Sequence, residues 1–132
     1  MDKFNTSIAA EFIVAAELAR RDFNVAITFG STKKIDLLAE RNGNTWQIQV
    51  KGIKQRRNNN FRIKVDSLSV NCWYIFVNVN RTDLNLGYEF AILKYSEVLS
   101  SLRRDLTEND NAIKTSVLDY PLYRNSWFRL DE

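Results

Sequence analysis

Asp36, Gln49 and Lys51 are the residues whose types and spacing first point to chemistry. They lie in two runs rich in Ile, Leu and Val, separated by Asn42-Gly43, the commonest kind of two-residue turn between antiparallel strands. With that turn Arg41 faces Asn44, and continuing the pairing sets Asp36 opposite Gln49. Such side chains stand ~4.5 to 5.5 Å apart at Cβ on one face of a sheet, and Lys51, two residues on, shares that face. Ile35, Leu37, Ile48 and Val50 are then expected on the other side, facing the core. A carboxylate, an amide oxygen and an ammonium gathered in this way suit a divalent cation. Magnesium, or manganese in its place, takes oxygen ligands, commonly one or two carboxylates with waters and substrate phosphate. A lysine beside it can orient an attacking water or stabilise charge in the transition state. The spacing fits equally well an ordinary salt bridge between Asp36 and Lys51 on an exposed face, with Gln49 a bystander.

Composition narrows the alternatives. The 132 residues contain no histidine, which removes imidazole general bases, Ser-His-Asp triads and imidazole zinc sites and leaves carboxylates, lysines and metal-activated water. Cys72, the single cysteine, can form no intramolecular disulfide and is expected in the core. Glycines at 30, 43, 52 and 87 are too scattered for a phosphate-cradling loop. The net charge of +3 conceals a local concentration: residues 51 to 64 hold Lys51, Lys54, Arg56, Arg57, Arg62 and Lys64 with no acid among them, so the remainder is net acidic. A block of this kind meets phosphates by releasing counterions, while a solvated loop without a partner is the plainer alternative. Lys54, Arg56, Arg57, Arg62 and Lys64 are the candidate nucleic-acid contacts.

The elements that must position these groups follow from periodicity. The length suits a single domain over residues 1–132, and no run approaches the ~18 apolar residues of a membrane span. The N-terminal residues lack a signal-peptide layout, so a cytoplasmic protein is expected. Ile8, Phe12, Ala15, Ala16 and Ala19 recur at helical spacing within Phe4 to Arg21, after a capping region Asn5-Thr6-Ser7. Strands are expected at Phe23 to Phe29, Lys34 to Arg41 and Thr45 to Lys51. Another, buried on both faces, is expected at Cys72 to Val79, with a last one at Gly87 to Leu93 after a connection through Asn80 to Leu86. Gln55 to Asn60 reads as a polar loop and Ser96 to Leu106 as a helix, and the tail from Asp110 has apolar weight enough to pack. Trp73 and Trp127 are expected in the core rather than stacked on bases. The order describes a mixed α/β sandwich.

The hairpin is similar to the signature of the PD-(D/E)XK nuclease superfamily, an Asp on one strand followed after a turn by (Glu/Gln)-x-Lys on the next. Ile35-Asp36-Leu37-Leu38-Ala39 supplies the first half and Gln49-Val50-Lys51-Gly52 the second. The helix from Ala10-Glu11-Phe12 to Arg21 resembles the first helix of small bacterial members, in which a glutamate at the position of Glu11 completes the acidic site. Gly30-Ser31-Thr32 is similar to the small-residue lead-in seen there. Two departures stand out: Ile35 replaces the usual Pro, and Gln49 replaces Glu, a variant resembling nucleases of the Mrr type. With a neutral oxygen from Gln49, the negative charge of the site falls to Asp36 and Glu11. Glu17 is expected to be solvated near Arg20 and Arg21, and Glu40, ~13 Å along the strand from Asp36, lies too far to be a ligand.

The resemblance implies an α/β fold with a restriction-endonuclease-like core, a mixed central sheet flanked by helices. It implies a nuclease hydrolysing phosphodiester bonds with magnesium. Asp36, Glu11 and Gln49 would hold the metal, Lys51 would act on the water, and the basic segment would grip the backbone. The expected partner is nucleic acid, DNA before RNA, with a second copy of the chain as a further candidate and no membrane. The alternative is a module of the same fold without catalysis, binding DNA or protein, in which Gln49 marks a decayed site.

Overall fold

The computed structural model describes residues 3–28, 35–79, 87–105 and 110–131. A five-stranded mixed sheet runs in the order β1 (Asn24–Ile27), β2 (Leu37–Arg41), β3 (Asn44–Ile53), β5 (Cys72–Asn78), β6 (Glu89–Lys94). Neighbours are antiparallel except β3 and β5, which pair in parallel from Gln47↔Cys72 to Ile53↔Asn78. The chain between them must therefore cross over, and the basic segment is part of that crossover. It forms β4 (Asn60–Ile63), which joins β7 (Arg103–Asp105) and β8 (Asp110–Lys114) in a second sheet of order β4-β8-β7. The helix α1 (Lys3–Arg20) covers one face of the large sheet, and the small sheet with the short helix α2 (Tyr95–Ser101) covers the other. Among the described residues, no helix is long and apolar enough to cross a membrane.

Each face has its own core. Ala10, Val14 and Leu18 pack on Leu37, Ile48, Val50, Ile75 and Val77, and Ile53, Phe61, Ile63, Tyr74, Phe76 and Ile113 fill the other side. Tyr74, Ile75, Phe76 and Val77 are all fully buried, as expected for a strand enclosed on both faces. Trp127 is buried and Trp73 packs against the first core from a half-buried position. The tail is fastened by Arg129, which is 4% exposed, donates to the Ile92 carbonyl (2.7 Å) and forms a two-pronged pair with Glu97.

The helix meets the sheet on a different stripe from the one its spacing suggests. Thr6, Ala10, Val14 and Leu18 face inward, while Phe12 is 55% exposed and Ala16 and Ala19 point to solvent. The reason lies in β3: a Cβ built at Gly52 would stand 2.5 Å from the Ala10 Cβ and 3.5 Å from the Thr6 carbonyl oxygen. Only a small residue fits over that glycine, so Ala10 faces inward and the i, i+4 row carries Val14 and Leu18 with it. The helix also starts early enough to place Asn5, Thr6 and Ser7 inside it rather than at a cap. The expected Ser96–Leu106 helix ends at Ser101, because Leu102 is extended and Arg103–Asp105 pairs with β8 instead. Ladder pairing with a distant segment has overridden local helical spacing. Gln55 to Asn59 is irregular, with a turn at Arg57-Asn58, and Asn60 already belongs to β4. The expectations at Phe29, Lys34, Gly30-Ser31-Thr32, Asn80 to Leu86 and Leu106 lie outside the described residues.

One candidate nucleic-acid contact is built into the fold. Arg56 donates to both carboxylate oxygens of Glu89 and to both of Asp119 (2.7 and 2.8 Å), and Asn78 also donates to Glu89 (2.8 Å). Its charge is thus balanced by β6 and by the 3-10 turn Thr115–Asp119, and it ties the crossover to the tail. Burial alone would raise the Glu89 carboxyl, but hydrogen bonds from Arg56 and Asn78 outweigh it and hold it below the usual carboxylate range. Asp119 is held low chiefly by its hydrogen bond from Arg56.

Two outcomes are expected. Gly52→Ala drives a Cβ into the helix and lowers stability by about 1 to 3 kcal/mol. Ala10→Gly costs about 1 kcal/mol alone yet relieves part of that loss in the double variant, so denaturant melts of the four proteins should show strong non-additivity. Arg56→Ala costs about 1 to 2 kcal/mol at neutral pH, held down by partial solvent screening. Because both carboxyls are depressed in the folded state, that contribution is present above their unfolded pKa values and is lost as pH falls. Melting curves of wild type and variant should therefore begin to approach each other as pH falls below about 4, and meet only below the depressed folded-state values.

Candidate functional site

The hairpin that carries the candidate residues forms as the Asn-Gly turn dictates. Asn42 and Gly43 both take positive φ (53° and 80°), Arg41 pairs with Asn44, and the register holds through Leu37↔Ile48. It then breaks at Asp36. The Asp36 N–H donates to the Ile48 carbonyl (2.9 Å), the same residue that pairs with Leu37, so two residues of one strand oppose one of the other in the manner of a bulge. Asp36 therefore does not stand squarely opposite Gln49. Its Oδ2 accepts the Val50 N–H at 2.7 Å, and its carbonyl accepts the Thr28 N–H (3.0 Å) and hydroxyl (3.1 Å). The irregularity also moves Ile35: instead of lying with Leu37 under α1, it packs against the second core, beneath the small sheet.

Strand alternation puts Gln49 and Lys51 on one face of β3, that of Cys72, Tyr74 and Phe76 on the neighbouring strand, as the spacing implies. Lys51 is half-buried between strands. Loss of water lowers the pKa of its ammonium, the negative charge of Asp36 raises it, and the positive charge of Lys64 lowers it again, leaving it below the ordinary lysine value. Asp36, Lys51 and Lys64 thus act on one another electrostatically, Lys51 from β3, Lys64 from the residue just past β4 and Asp36 from the bulge.

Gln49 and Glu11 are placed differently. Gln49 is 3% exposed and its amide nitrogen donates to the Ser67 carbonyl at 2.8 Å, beneath the 3-10 turn Val65–Ser67 that follows β4. A glutamate there would set a carboxylate against a carbonyl oxygen, which gives a physical reason for the amide. The remaining donor of oxygen on this side chain is its Oε1. Glu11 lies next to Ala10, whose contact with Gly52 brings that turn of α1 over β3 one residue past Lys51. It is half-buried on α1, the helix that covers the Leu37, Ile48 and Val50 face of the large sheet. Among the described residues no group of three or more His, Cys, Asp or Glu side chains comes together. Carboxylate oxygens of the kind Asp36 and Glu11 carry, and the amide oxygen of Gln49, suit a hard cation such as magnesium rather than a soft one.

The basic segment divides. Lys54, Arg57, Arg62 and Lys64 are exposed, whereas Arg56 is engaged with Glu89 and Asp119 as described. Cys72 is buried beside Gln47 and Gln49, and burial raises its thiol above the ordinary value, with Ser69 and Gln49 pulling it back in part. Glu17 is bound to Arg20 (3.2 Å) and Arg21 (3.1 Å), and Glu40 accepts from Asn24 (2.8 Å) and the Gly43 N–H (3.1 Å), each far from Lys51 in role. Thr28 and Ser67 were not among the candidates, although each holds a site residue through a hydrogen bond. Neither carries a pattern of its own; the only signal for Thr28 is its place at the end of the strand before the Asp36 run.

Two solved structures share this architecture. One is a bacterial homing endonuclease, I-Ssp6803I, with a TM-score of 0.64 and 12% identity over 98% of this chain and 93% of that one. The other is Hjc, a Holliday junction resolvase from the archaeal hyperthermophile Archaeoglobus fulgidus, with a TM-score of 0.52 and 16% identity over 85% of this chain and 92% of that one. At such identities they establish the restriction-endonuclease-like fold. No curated protein sequence matches the chain. The model of the PD-(D/E)XK endonuclease family matches residues 1–85, which include α1, the hairpin with Asp36, Gln49 and Lys51, and the basic segment. That match spans more than half of the residues, and the chain belongs to the PD-(D/E)XK endonuclease family.

Proposed function

We propose that this nuclease-family protein hydrolyses phosphodiester bonds in DNA with the help of a divalent metal, magnesium in the first place. The observation that carries the reading is the Asp36 carboxylate, fixed by the Val50 N–H and set in one electrostatic group with Lys51. Asp36 and Glu11 would hold the metal with the Oε1 of Gln49, and when bound it would polarise the phosphate and lower the pKa of an attacking water. The chain's own groups do the rest. The bulge points Asp36 away from the regular ladder, and the hydrogen bonds from Val50 and Thr28 leave it little freedom to reorganise during reaction. Lys51 places a positive charge beside it, suited to orient the water and to stabilise charge that grows on the phosphorus oxygens. Lys54, Arg57, Arg62 and Lys64 hold the backbone. The DNA substrate is supported by the two structural neighbours, a homing endonuclease and a Holliday junction resolvase.

A second reading, a DNA-binding module without catalysis, is favoured by one observation: the amide of Gln49 is committed to Ser67 and brings no charge to the site. Lys51 separates the two. If Lys51 acts in the transition state, Lys51→Ala keeps DNA affinity within roughly tenfold, about 1.4 kcal/mol, while cleavage falls to the level seen with chelator. Should wild type cleave neither plasmid, linear duplex, single strands nor RNA in magnesium or manganese, yet lose DNA binding with Lys51, the binding module is the right description.

Asp36 and Gln49 supply two further outcomes. Asp36→Asn keeps an acceptor for the Val50 N–H, so it should melt close to wild type while calorimetry shows divalent-ion binding lost. Asp36→Ala should also destabilise, by about 1 to 3 kcal/mol, because the buried N–H loses its partner. Gln49→Glu should be destabilised by a similar margin at neutral pH without metal, and recover as acid protonates the new carboxyl so that it can donate to Ser67. Metal affinity left unchanged in Asp36→Asn removes the residue from the ligand set.

A further inference from the structure

The exposed cations of the crossover do not end at Lys64. β4 carries Arg62 into the small sheet: Phe61, Ile63 and Ile113 enter the core from its inner face, while Asn60, Arg62 and Lys114 on the other face are exposed. Pairing shows what shares the outer face. Arg62 pairs with Ala112 from one side and Arg103 pairs with it from the other, and Lys114, two residues along β8, lies opposite Asn60. Strand spacing sets the Arg62 and Arg103 backbones about 10 Å apart across the sheet, with Lys114 about 7 Å along it from Ala112. Ala112, between the two arginines, carries only a methyl and is 5% exposed. Exposed Lys54 and Arg57 stand in the segment that enters β4 at its Asn60 end, the end marked by Lys114. The ladder of β7 with β8 continues away from Lys114 to the pair Asp105↔Asp110.

We propose that this outer face is a docking platform for the phosphate backbone of duplex DNA, to which Arg103 and Lys114 contribute contacts. Both residues lie outside the part of the chain that the family model matches. The proposal rests on the nuclease reading above and extends it to a surface that the basic segment alone does not define. Charge complementarity selects phosphate as the ligand. The choice of a duplex follows from what the face lacks: Asn60, Arg62, Arg103, Ala112 and Lys114 include no aromatic ring, and surfaces that hold single strands use rings on which unstacked bases lie. Cations spread over about 10 Å of one sheet face instead match the ridges of a duplex, whose phosphates are read without regard to base.

The test compares wild type with Arg103→Ala/Lys114→Ala and with the charge-preserving Arg103→Lys/Lys114→Arg. Binding to a blunt duplex, to a single strand of equal length and to duplex RNA is measured across a salt series, with single-turnover cleavage at saturating duplex. The alanine pair should weaken duplex DNA binding roughly tenfold or more at low salt and reduce the slope of log affinity against log salt by about 1 to 2 units. The charge-preserving pair should retain the wild-type slope, and cleavage at saturation should stay within about twofold of wild type in both. A wild-type protein that binds and cleaves duplex DNA, with an alanine pair of equal affinity and slope, overturns the platform and leaves the nuclease reading intact. A loss confined to single strands or to RNA overturns the assignment to duplex DNA. A wild type that neither binds nor cleaves any of the three overturns both readings together.

Discussion

Three consecutive backbone positions of β3 carry more of this molecule than any other. The Val50 N–H holds the Asp36 carboxylate, Lys51 presents its ammonium beside it, and Gly52 admits Ala10 of the helix to within a contact that no larger residue allows. Since β3 pairs with β2 on one side and β5 on the other, a shift at any of these positions is passed to the whole large sheet. The bulge at Asp36 is tolerable because three neighbouring groups, Thr28, Ile48 and Val50, satisfy its backbone and side chain. Irregular backbone next to reactive groups persists only where its surroundings determine it in this way.

Charge is handled in two distinct modes. Arg56 and Arg129 are internal ties: each is met by carboxylates, and each joins segments distant in sequence, the crossover to the tail in one case and the tail to β6 and α2 in the other. Arginine suits this because its planar fork makes several directed bonds at once. Lysine 51 is the opposite case, a compact charge in a half-dry place between one anion and another cation. Gln49 completes the contrast as a neutral side chain, anchored by Ser67 rather than by ions.

The family resemblance and the pairing of β2 with β3 were both legible in the hairpin, since an Asn-Gly turn with flanking alternation leaves one register that buries the apolar side chains. The enclosed strand Cys72–Asn78 announced itself by an unbroken apolar run. Other features were hidden for definite reasons. Two apolar stripes compete on α1, and the one used is chosen by the glycine of another strand. Arg56 looks like its neighbours in a basic run, and only its meeting with Glu89 and Asp119 sets it apart. The end of α2 and the strand that follows it depend on β8, a segment that no local pattern at Arg103 reveals.

The chain by itself determined what is local or periodic: the turn at Asn42-Gly43, the faces of β3, the absence of imidazole chemistry and the concentration of cations between residues 51 and 64. Tertiary structure decided what depends on partners far apart in sequence: the break of register at Asp36, the inward face of α1, the hydrogen bond that occupies Gln49, and the alignment of Arg103 and Lys114 with Arg62. The division has a physical cause. Turn geometry and strand alternation are properties of adjacent residues, whereas a bulge, a close helix contact or a cross-strand row of charges has no energy until two distant segments meet.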